Sequence, residues 1–443
     1  MGVDANVITA ERIKEELSKN KTLEGAVNSG FKMGLTPIID GNVTIVIVAA
    51  ILMGAFGPTD GFWAKVFNPI FYWFGPSTAG TIYSFGFTLL TSVLLNFVFG
   101  VWATRVMIRG AVHFKPLRKA WLFGGKKEGG ADFKTPSINF IGNRKKFYTF
   151  SCALIAVVLV FCGIFGVKMD VEFKGGSMIT LAYEGDADLN DLKSTIGTEL
   201  GKSNLTLQTG SDISGNQTLT VTLPGSDTLT TEQLDNLLTA LNEQYPDNKF
   251  VQNEVSNVDA TIGKEFLVKS VVALVAACVL ILLYVAYRFR KIGGLKAGST
   301  AIVALLHDMF VVFGVFVLLR IPLNGNFIAA LLTILGYSIN DTVVIYDRIR
   351  ENSALYGKKQ MSLAELVNLS VNQSFARSLM TSITTCLALG VVCVVSVIYR
   401  LDSIYSFAFP LLFGMVSGVY STICIATPLW VDWKNKKKAA KKA

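Results

Sequence analysis

Long apolar runs separated by short charged stretches form the main pattern of this 443-residue chain. A run of about 18 or more apolar residues is long enough to cross a bilayer as a helix. A mildly apolar segment before Glu11 is typical of the end of one more helix, and we expect that helix to begin before Met1. The predicted full spans are 38–56, 79–107, 147–167, 266–287, 297–319, 327–346, 378–399 and 404–430.

A polar segment at 168–262 interrupts these spans. Polar and apolar residues alternate as in a β-strand in MITLAY, LTLQTG, TLTVTLPG and FVQNEVSNV. Apolar residues recur at the spacing of an amphipathic helix in DLKSTIGTEL and TTEQLDNLLTALNEQY. The order βαββαβ predicts a small α+β domain with a ferredoxin-like arrangement. Gly175 and Gly176 precede the first strand. We interpret them as the tight turn that opens the domain, since no Lys-Ser/Thr follows them as in a phosphate loop.

Composition and charge agree with a membrane location. Hydrophobic residues make up 51% of the chain and charged residues 16%, against about 25% in soluble domains. The linker 108–146 and the tail 431–443 are basic, whereas the insert is acidic. By the positive-inside rule, the linker and the C-terminus lie in the cytoplasm and the insert lies outside. The tail lysines are suited to contact anionic lipids rather than nucleic acid.

The residue types that catalysis or metal binding needs are not grouped in this sequence. The six cysteines lie in or beside apolar runs without metal-ligand spacing. We find no nucleophile–base constellation and no nucleotide motif. The sequence therefore predicts a protein that is not an enzyme and that binds no metal or other cofactor.

The most informative polar residues lie within and just after the predicted span 327–346, in GYSINDTVVIYDRIREN. Asp341 stands at lipid depth, where a carboxylate costs roughly 2.5–3.5 kcal/mol and usually marks an ion or proton pathway. A packing hydrogen bond to a neighbouring Ser or Thr is the structural alternative. Arg377, near the start of the next span, stays charged and is suited to hold Asp341 ionised or release it. Otherwise Arg377 snorkels to the interface.

An internal repeat gives Asp341 a counterpart. The sequence ERI at 11–13 parallels DRI at 347–349, and Asp4 precedes the first about as far as Asp341 precedes the second. At about 1.5 Å per residue, both carboxylates lie about 10 Å inside the cytoplasmic edge. Repeated bundles with a working site at their interface are common in transporters. The fold class we predict is a polytopic α-helical membrane protein with pseudo-repeated bundles and one α+β extracytoplasmic domain. In the alternative, Asp4 is an exposed residue on a frayed end.

These motifs resemble those of one known family. GVDANV followed by ERIKEEL is similar to the signature of SecD subunits of the protein-export translocase, and GYSINDTVVIYDRIREN to that of SecF. VEFKGGSM resembles the FxGG element that opens their extracytoplasmic domains, and ALLHDM resembles the corresponding SecF span. The resemblance covers nearly the whole chain and implies the end of SecD fused to a complete SecF. The parts are a SecD-like bundle 1–107, the linker 108–146, a first SecF-like span 147–167, the domain 168–262, a five-span bundle 263–430 and the tail 431–443.

The resemblance implies an accessory subunit of the Sec translocase in the bacterial cytoplasmic membrane, which uses the proton-motive force to promote preprotein export. Its partners would be the translocon channel, accessory membrane subunits, the translocating preprotein and the N-terminal part of SecD. Asp4, Asp341 and Arg377 would carry the proton step. Two alternatives stay open: a proton-driven small-molecule or lipid exporter of the resistance-nodulation-division type, which usually has larger porter domains, and a non-transporting assembly scaffold.

Further polar residues occur inside the predicted spans. His307 and Asp308 lie near the middle of span 297–319, where they form either a proton shuttle or a structural pair. We also predict a polar network that joins helices through hydrogen bonds. Its members are Asn6, Asp40, Asn42, Asn340, Thr342, Thr381 and Thr384.

Overall fold

The computed structural model contains eight helices, within the part of the chain that it describes, that are long and apolar enough to cross a membrane. This number matches the full spans that the hydrophobic pattern predicts. The middle of the predicted basic linker, 126–137, and the last three residues lie outside the described part. The described residues are 2–74, 80–125, 138–185, 187–201, 205–211, 217–224, 229–258, 260–399 and 401–440.

The first bundle contains longer helices than the apolar runs alone predict. The second of them begins at Leu23, where the Thr22 side chain caps it by accepting a hydrogen bond from Gly25 N, and its continuation absorbs the predicted span 38–56. The third helix is short, and aromatic rings within and just after it are exposed to solvent, with Trp73 84% exposed. Exposed aromatic rings are typical of a segment at the membrane interface. The helices are α1 (Gly2–Ser18), α2 (Leu23–Phe56), α3 (Phe62–Phe71), α4 (Gly80–Leu95) and, after a π-helical segment (Asn96–Ala103), α5 (Thr104–His113).

The insert follows the span α6 (Arg144–Phe165) along the chain and forms its own sheet and its own hydrophobic core. All three strand pairings are antiparallel, in the order β2-β3-β1-β4. The observed element order confirms the predicted α+β insert, and the ferredoxin-like arrangement stays a prediction. The elements are α7 (Val171–Lys174), β1 (Gly176–Tyr183), α8 (Leu189–Glu199), β2 (Thr206–Ser211), β3 (Gln217–Pro224), α9 (Thr231–Gln244) and β4 (Val251–Val258).

The second bundle surrounds one central helix. This helix, α12 (Gly325–Gln360), contacts α2 of the first bundle as well as its own neighbours. In its most apolar stretch of 18 residues, 89% of the residues are buried. It runs on to Gln360, so the charged stretch after Asp347 continues a helix instead of forming a separate connection. The helices are α10 (Ala260–Arg288), α11 (Gly294–Leu318), α12 (Gly325–Gln360), α13 (Leu363–Ile398), α14 (Asp402–Ser421) and, after a π-helical turn (Thr422–Ala426), α15 (Thr427–Ala440).

The root of the insert is hydrogen-bonded to the beginning of α12. Asp170 N donates to Leu323 O at 2.9 Å, and Leu323 N donates to Lys168 O at 3.0 Å. Glu172 Oε2 accepts a hydrogen bond from Gly325 N, the first residue of α12, at 2.5 Å. The left-handed φ of 81° at Gly175 then turns the chain into β1. The domain and the central helix are therefore joined at one point.

This joint gives a pH-dependent prediction. Burial raises the pKa of Glu172, and it also raises the pKa of Asp170. A carboxyl whose pKa is higher in the docked state stabilises docking at low pH, and this stabilisation is lost as the pH rises through the raised pKa. Protection of the Gly325 amide against hydrogen exchange, corrected for the intrinsic rate, should therefore fall as the pH rises above about 4.3, the ordinary pKa of Glu.

Two variants separate the charge of Glu172 from its hydrogen bond. Glu172→Gln keeps an acceptor oxygen, so it should weaken the pH dependence and preserve the protection. Glu172→Ala should lower the free energy of opening at the Gly325 amide, measured by hydrogen exchange, by about 1–3 kcal/mol because Gly325 N loses its acceptor. Equal protection in the Ala variant and the parent protein would show that the joint does not depend on Glu172.

Candidate functional site

The two carboxylates of the repeat meet at one site between α1, α12 and α13. Asn340 Nδ2 donates a hydrogen bond to Asp4 Oδ2 at 2.6 Å, and Thr381 Oγ1 donates to Asp4 Oδ1 at 3.4 Å. Asp4 is therefore held by both neighbouring helices and is not a frayed residue in this structure. A Cβ atom on Gly41 would lie 1.8 Å from Asn340 Oδ1, so this glycine lets α2 approach α12 closely.

Asp341 lines the same small cavity as Asp4. This cavity has a volume of about 20 Å³, enough for one water molecule, and Asn340 and Thr381 also line it. Among the described residues, no hydrogen bond or ion pair holds the Asp341 carboxylate, in contrast to the packing alternative. The sequence thus predicted a pair of acids, and the structure brings them together.

Arg377 lies near both carboxylates without forming the direct ion pair that the sequence predicts. Its guanidinium is attracted electrostatically by Asp4 and Asp341, but no ion pair joins it to either in the described residues. Its buried Nη2 atom has no hydrogen-bond partner. The residue lies well inside α13 rather than at the start of the helix, because α13 begins at Leu363. Buried donors are usually paired, so this arginine is an exception among the described residues.

Asp308 is fully buried beside this site and accepts hydrogen bonds from three serine hydroxyls. Ser338 Oγ and Ser421 Oγ donate to Asp308 Oδ2 at 2.6 and 2.7 Å, and Ser417 Oγ donates to Oδ1 at 2.6 Å. His307 Nδ1 lies 3.3 Å from the same carboxylate, whereas its buried Nε2 has no partner. Because Ser338 also lines the Asp4–Asp341 cavity, Asp308 is connected to it through one side chain.

Two of the serines around Asp308, Ser417 and Ser421, were missed by sequence reasoning. Ser417 and Ser421 occupy positions four apart on α14, which places them on one helix face. Small polar residues at that spacing inside an apolar span are the signal that could have found them. Thr342, which the sequence did predict as part of a network, pairs with Thr422 at 2.8 Å between the hydroxyl oxygens.

Asp40 is part of a different interaction from the predicted network. It forms a bidentate ion pair with Arg288 on α10, with Arg288 Nη2 2.6 Å from Asp40 Oδ2 and Nε 2.8 Å from Oδ1. Tyr284 Oη also donates to Asp40 Oδ1 at 3.1 Å. This cluster fastens the first bundle to the second.

Removing the cation from this cluster should be strongly destabilising. Arg288→Ala leaves Asp40 buried without its partner and should lower the free energy of unfolding by about 3–5 kcal/mol. The matched control is Arg290→Ala, an exposed arginine over the Tyr287 ring, which should lower it by less than about 1 kcal/mol. Thermal unfolding in detergent provides the comparison. Equal effects of the two substitutions would contradict a joining role for the ion pair.

The remaining predicted residues lie outside the cavity. Asn6 is exposed, and Thr384 is exposed and donates to carbonyls of its own helix. Asn42 Oδ1 accepts from Asn96 Nδ2 at 3.2 Å, which joins α2 to the π-helical segment before α5. Within the described residues, no group of three His, Cys, Asp or Glu side chains is arranged to hold a metal ion.

Comparison with known proteins identifies the family. The family model "Protein export membrane protein SecD/SecF, C-terminal" matches residues 238–436. The translocase subunit SecF of Alicyclobacillus acidocaldarius is 35% identical over 312 residues, which cover 69% of this chain and 96% of that protein. The chain belongs to the SecD/SecF family. It is a multi-pass membrane protein, as the resemblance of its motifs implied.

Two longer members of the SecD/SecF family match almost the entire chain. SecDF of Bacillus subtilis is 30% identical over 451 residues, covering 99% of this chain and 56% of that protein. The crystal structure of Thermus thermophilus SecDF superimposes with a TM-score of 0.74 at 29% identity, over 98% of this chain and 53% of the other. The chain thus spans about half the length of these SecDF relatives.

Proposed function

We propose that this chain is part of an accessory subunit of the Sec translocase that uses the proton-motive force to promote preprotein export. The observation that carries the proposal is the shared cavity of Asp4 and Asp341 beside an arginine with an unpaired donor. Two intramembrane acids and a cation are the groups that a proton-coupled transporter needs. The names of the SecD/SecF relatives supply the export role.

In the proposed mechanism, Asp341 gains and loses the proton. When Asp341 is ionised, the Arg377 guanidinium is drawn toward it, and when it is protonated, Arg377 is released toward Asp4. Each position of the arginine favours a different packing of α13 against α12. A change at α12 reaches the insert through the Glu172–Gly325 hydrogen bond. Proton movement would thereby become motion of the extracytoplasmic domain, which acts on the emerging preprotein.

The orientation belongs to the same proposal. The basic tail and linker are assigned to the cytoplasm by their charge, and the acidic insert to the outside. Partners would be the translocon channel, its accessory subunits and anionic lipids at the cytoplasmic surface. The exporter alternative is weaker because the described residues of the insert form a single four-stranded sheet, whereas exporters of that type usually have larger porter domains.

Depletion of the chain tests the export role. Export should be faster with a proton gradient than after addition of an ionophore, and this difference should disappear in cells that lack the chain. Isolation of the chain with the export channel would agree with the proposal. A gradient effect that survives depletion, together with new drug sensitivity, would favour the exporter instead.

A further inference from the structure

Four charged side chains form a reciprocal arrangement between the two halves of the repeat. The sequence ERIKE at 11–15 corresponds to DRIRE at 347–351, so Arg12 and Glu15 are equivalent to Arg348 and Glu351. We call these four residues the reciprocal cluster. They lie on α1 and α12, the same helices that carry Asp4 and Asp341.

Each arginine of the reciprocal cluster binds both glutamates. Arg12 Nη1 donates to Glu15 Oε2 at 2.9 Å, and its Nη2 donates to Glu351 Oε2 at 3.0 Å. Arg348 Nη1 donates to Glu351 Oε2 at 3.0 Å, and its Nη2 lies 2.8 Å from Glu15 Oε1. Equivalent residues therefore make equivalent contacts across the interface, as in a two-fold symmetric pairing.

The reciprocal cluster lies between two cavities of very different size. A cavity of about 20 Å³ is lined by Arg377 together with Arg12, Glu15 and Arg348. A cleft of about 560 Å³ is lined by Arg12, Asp347 and Glu351. Arg12 and Asp347 line both the cavity and the cleft. The ion pair between Arg12 and Glu351 therefore forms part of the wall that separates the cavity from the cleft.

The cavities, Arg377 and the reciprocal cluster lie one after another along the helices α1, α12 and α13. On α12, Asp341 is followed by Arg348 seven residues later, a rise of about 10 Å. On α1, Arg12 follows Asp4 in the same direction, and on α13 Gln373 holds Arg348 at 2.7 Å one turn from Arg377. The order along these helices is therefore the cavity lined by Asp4 and Asp341, then Arg377, and then the cavity that Arg377 lines together with Arg12. The reciprocal cluster and the cleft of about 560 Å³ follow.

We propose that the reciprocal cluster is a gate that separates the proton site from the cytoplasmic cleft. The inference rests on the proposed function, because the gate is needed only if Asp341 exchanges protons. The structure has the gate closed. Opening it requires the two halves to separate, since the pairs between Arg12 and Glu351 and between Arg348 and Glu15 join α1 to α12.

Charge reversal of one half provides a matched test. Arg12→Glu with Glu15→Arg keeps the net charge and the pair within α1, but it sets like charges against α12. Arg348→Glu with Glu351→Arg does the same from the other side. The quadruple variant restores every contact with opposite sign. The readout is the decay rate of an imposed pH gradient in inverted membrane vesicles, relative to vesicles without the chain.

Each half reversal should accelerate the decay by about tenfold or more. At the effective dielectric constant of about 20 that applies to a partly buried pair, repulsion between like charges at ~4 Å exceeds the free energy of a tenfold change. The quadruple variant should return to the parent rate. Half reversals that leave the decay unchanged, or a folded quadruple variant as leaky as the halves, would overturn the gate. Adding Asp341→Asn to a half reversal should remove the leak. A leak that persists there would refute the proton route through Asp341, which is a failure of the proposed function, whereas half reversals without a leak are a failure of the gate itself.

A covalent lock keeps the proposal testable if the reversed variants do not fold. Arg12→Cys with Glu351→Cys, joined by a short thiol-reactive linker that a reductant cleaves, should stop gradient decay and gradient-driven export. Reduction should restore both. The two variants that carry only one of these substitutions, treated in the same way, are the controls for reaction with the native cysteines. Unchanged activity of the linked protein would overturn the gate.

Discussion

Asp341→Asn should abolish the part of preprotein export that depends on the proton gradient. Asn has nearly the shape of Asp but does not exchange a proton at physiological pH. The site around the cavity of about 20 Å³ should therefore accept Asn without repacking. Export should fall to the rate of cells that lack the chain, and adding an ionophore should have no further effect. The measurement is the rate of preprotein maturation in cells in which the substitution replaces the parent residue.

Two controls belong to this prediction. Asp341→Glu keeps a proton-exchanging group and should retain part of the gradient dependence. Asp308→Asn also removes a buried acid, but Asp308 already accepts three serine hydroxyls, so we expect its main effect on thermal stability. A gradient-dependent rate in Asp341→Asn equal to the parent rate would remove Asp341 from the proton route.

Replacing Arg377 should also have a large effect on export. Arg377→Ala removes the cation near Asp4 and Asp341, and it should reduce gradient-dependent export as far as Asp341→Asn does. Arg377→Lys keeps a positive charge but loses the planar fork of donors, and a buried lysine gives up its proton more readily than an arginine. The Lys variant should therefore be partly active at low pH and lose activity as the cytoplasmic pH rises.

A pH series of export rates separates this role from a purely structural one. If Arg377 only filled space, the Lys variant would show the pH profile of the parent protein. Substitution of Arg105 by Lys is a suitable control because its buried Nε also lacks a partner, yet it lies on α5, away from the cavity. Equal pH profiles for the two Lys variants would contradict the proposed movement of Arg377.

The hydrophobic pattern was sufficient for the spans and the insert because each depends on local periodicity. It failed at the ends of helices, as at Leu23 and Gln360, where polar residues continue a helix that packing and capping stabilise. The sequence also predicted Asp4 and Asp341 as a pair, since the repeat places them at equivalent depths.

The contacts between distant helices could not be predicted in the same way. In the sequence, Arg288 stands in the basic stretch RFRK just after the predicted span 266–287. Only the packing of α10 on α2 brings it to Asp40. The serines around Asp308 come from two helices other than its own, so no local spacing identifies all three. The repeat did contain the reciprocal cluster, but its pairing depends on how α1 lies against α12.

The decay of an imposed pH gradient in vesicles tests the central claim most directly. Vesicles that contain the parent protein and the Sec channel should lose the gradient faster while they translocate a preprotein than vesicles without the chain. Vesicles with the Asp341→Asn variant, at equal protein content, should match those without the chain. The same fast decay in the Asn variant and the parent would contradict proton transfer through Asp341.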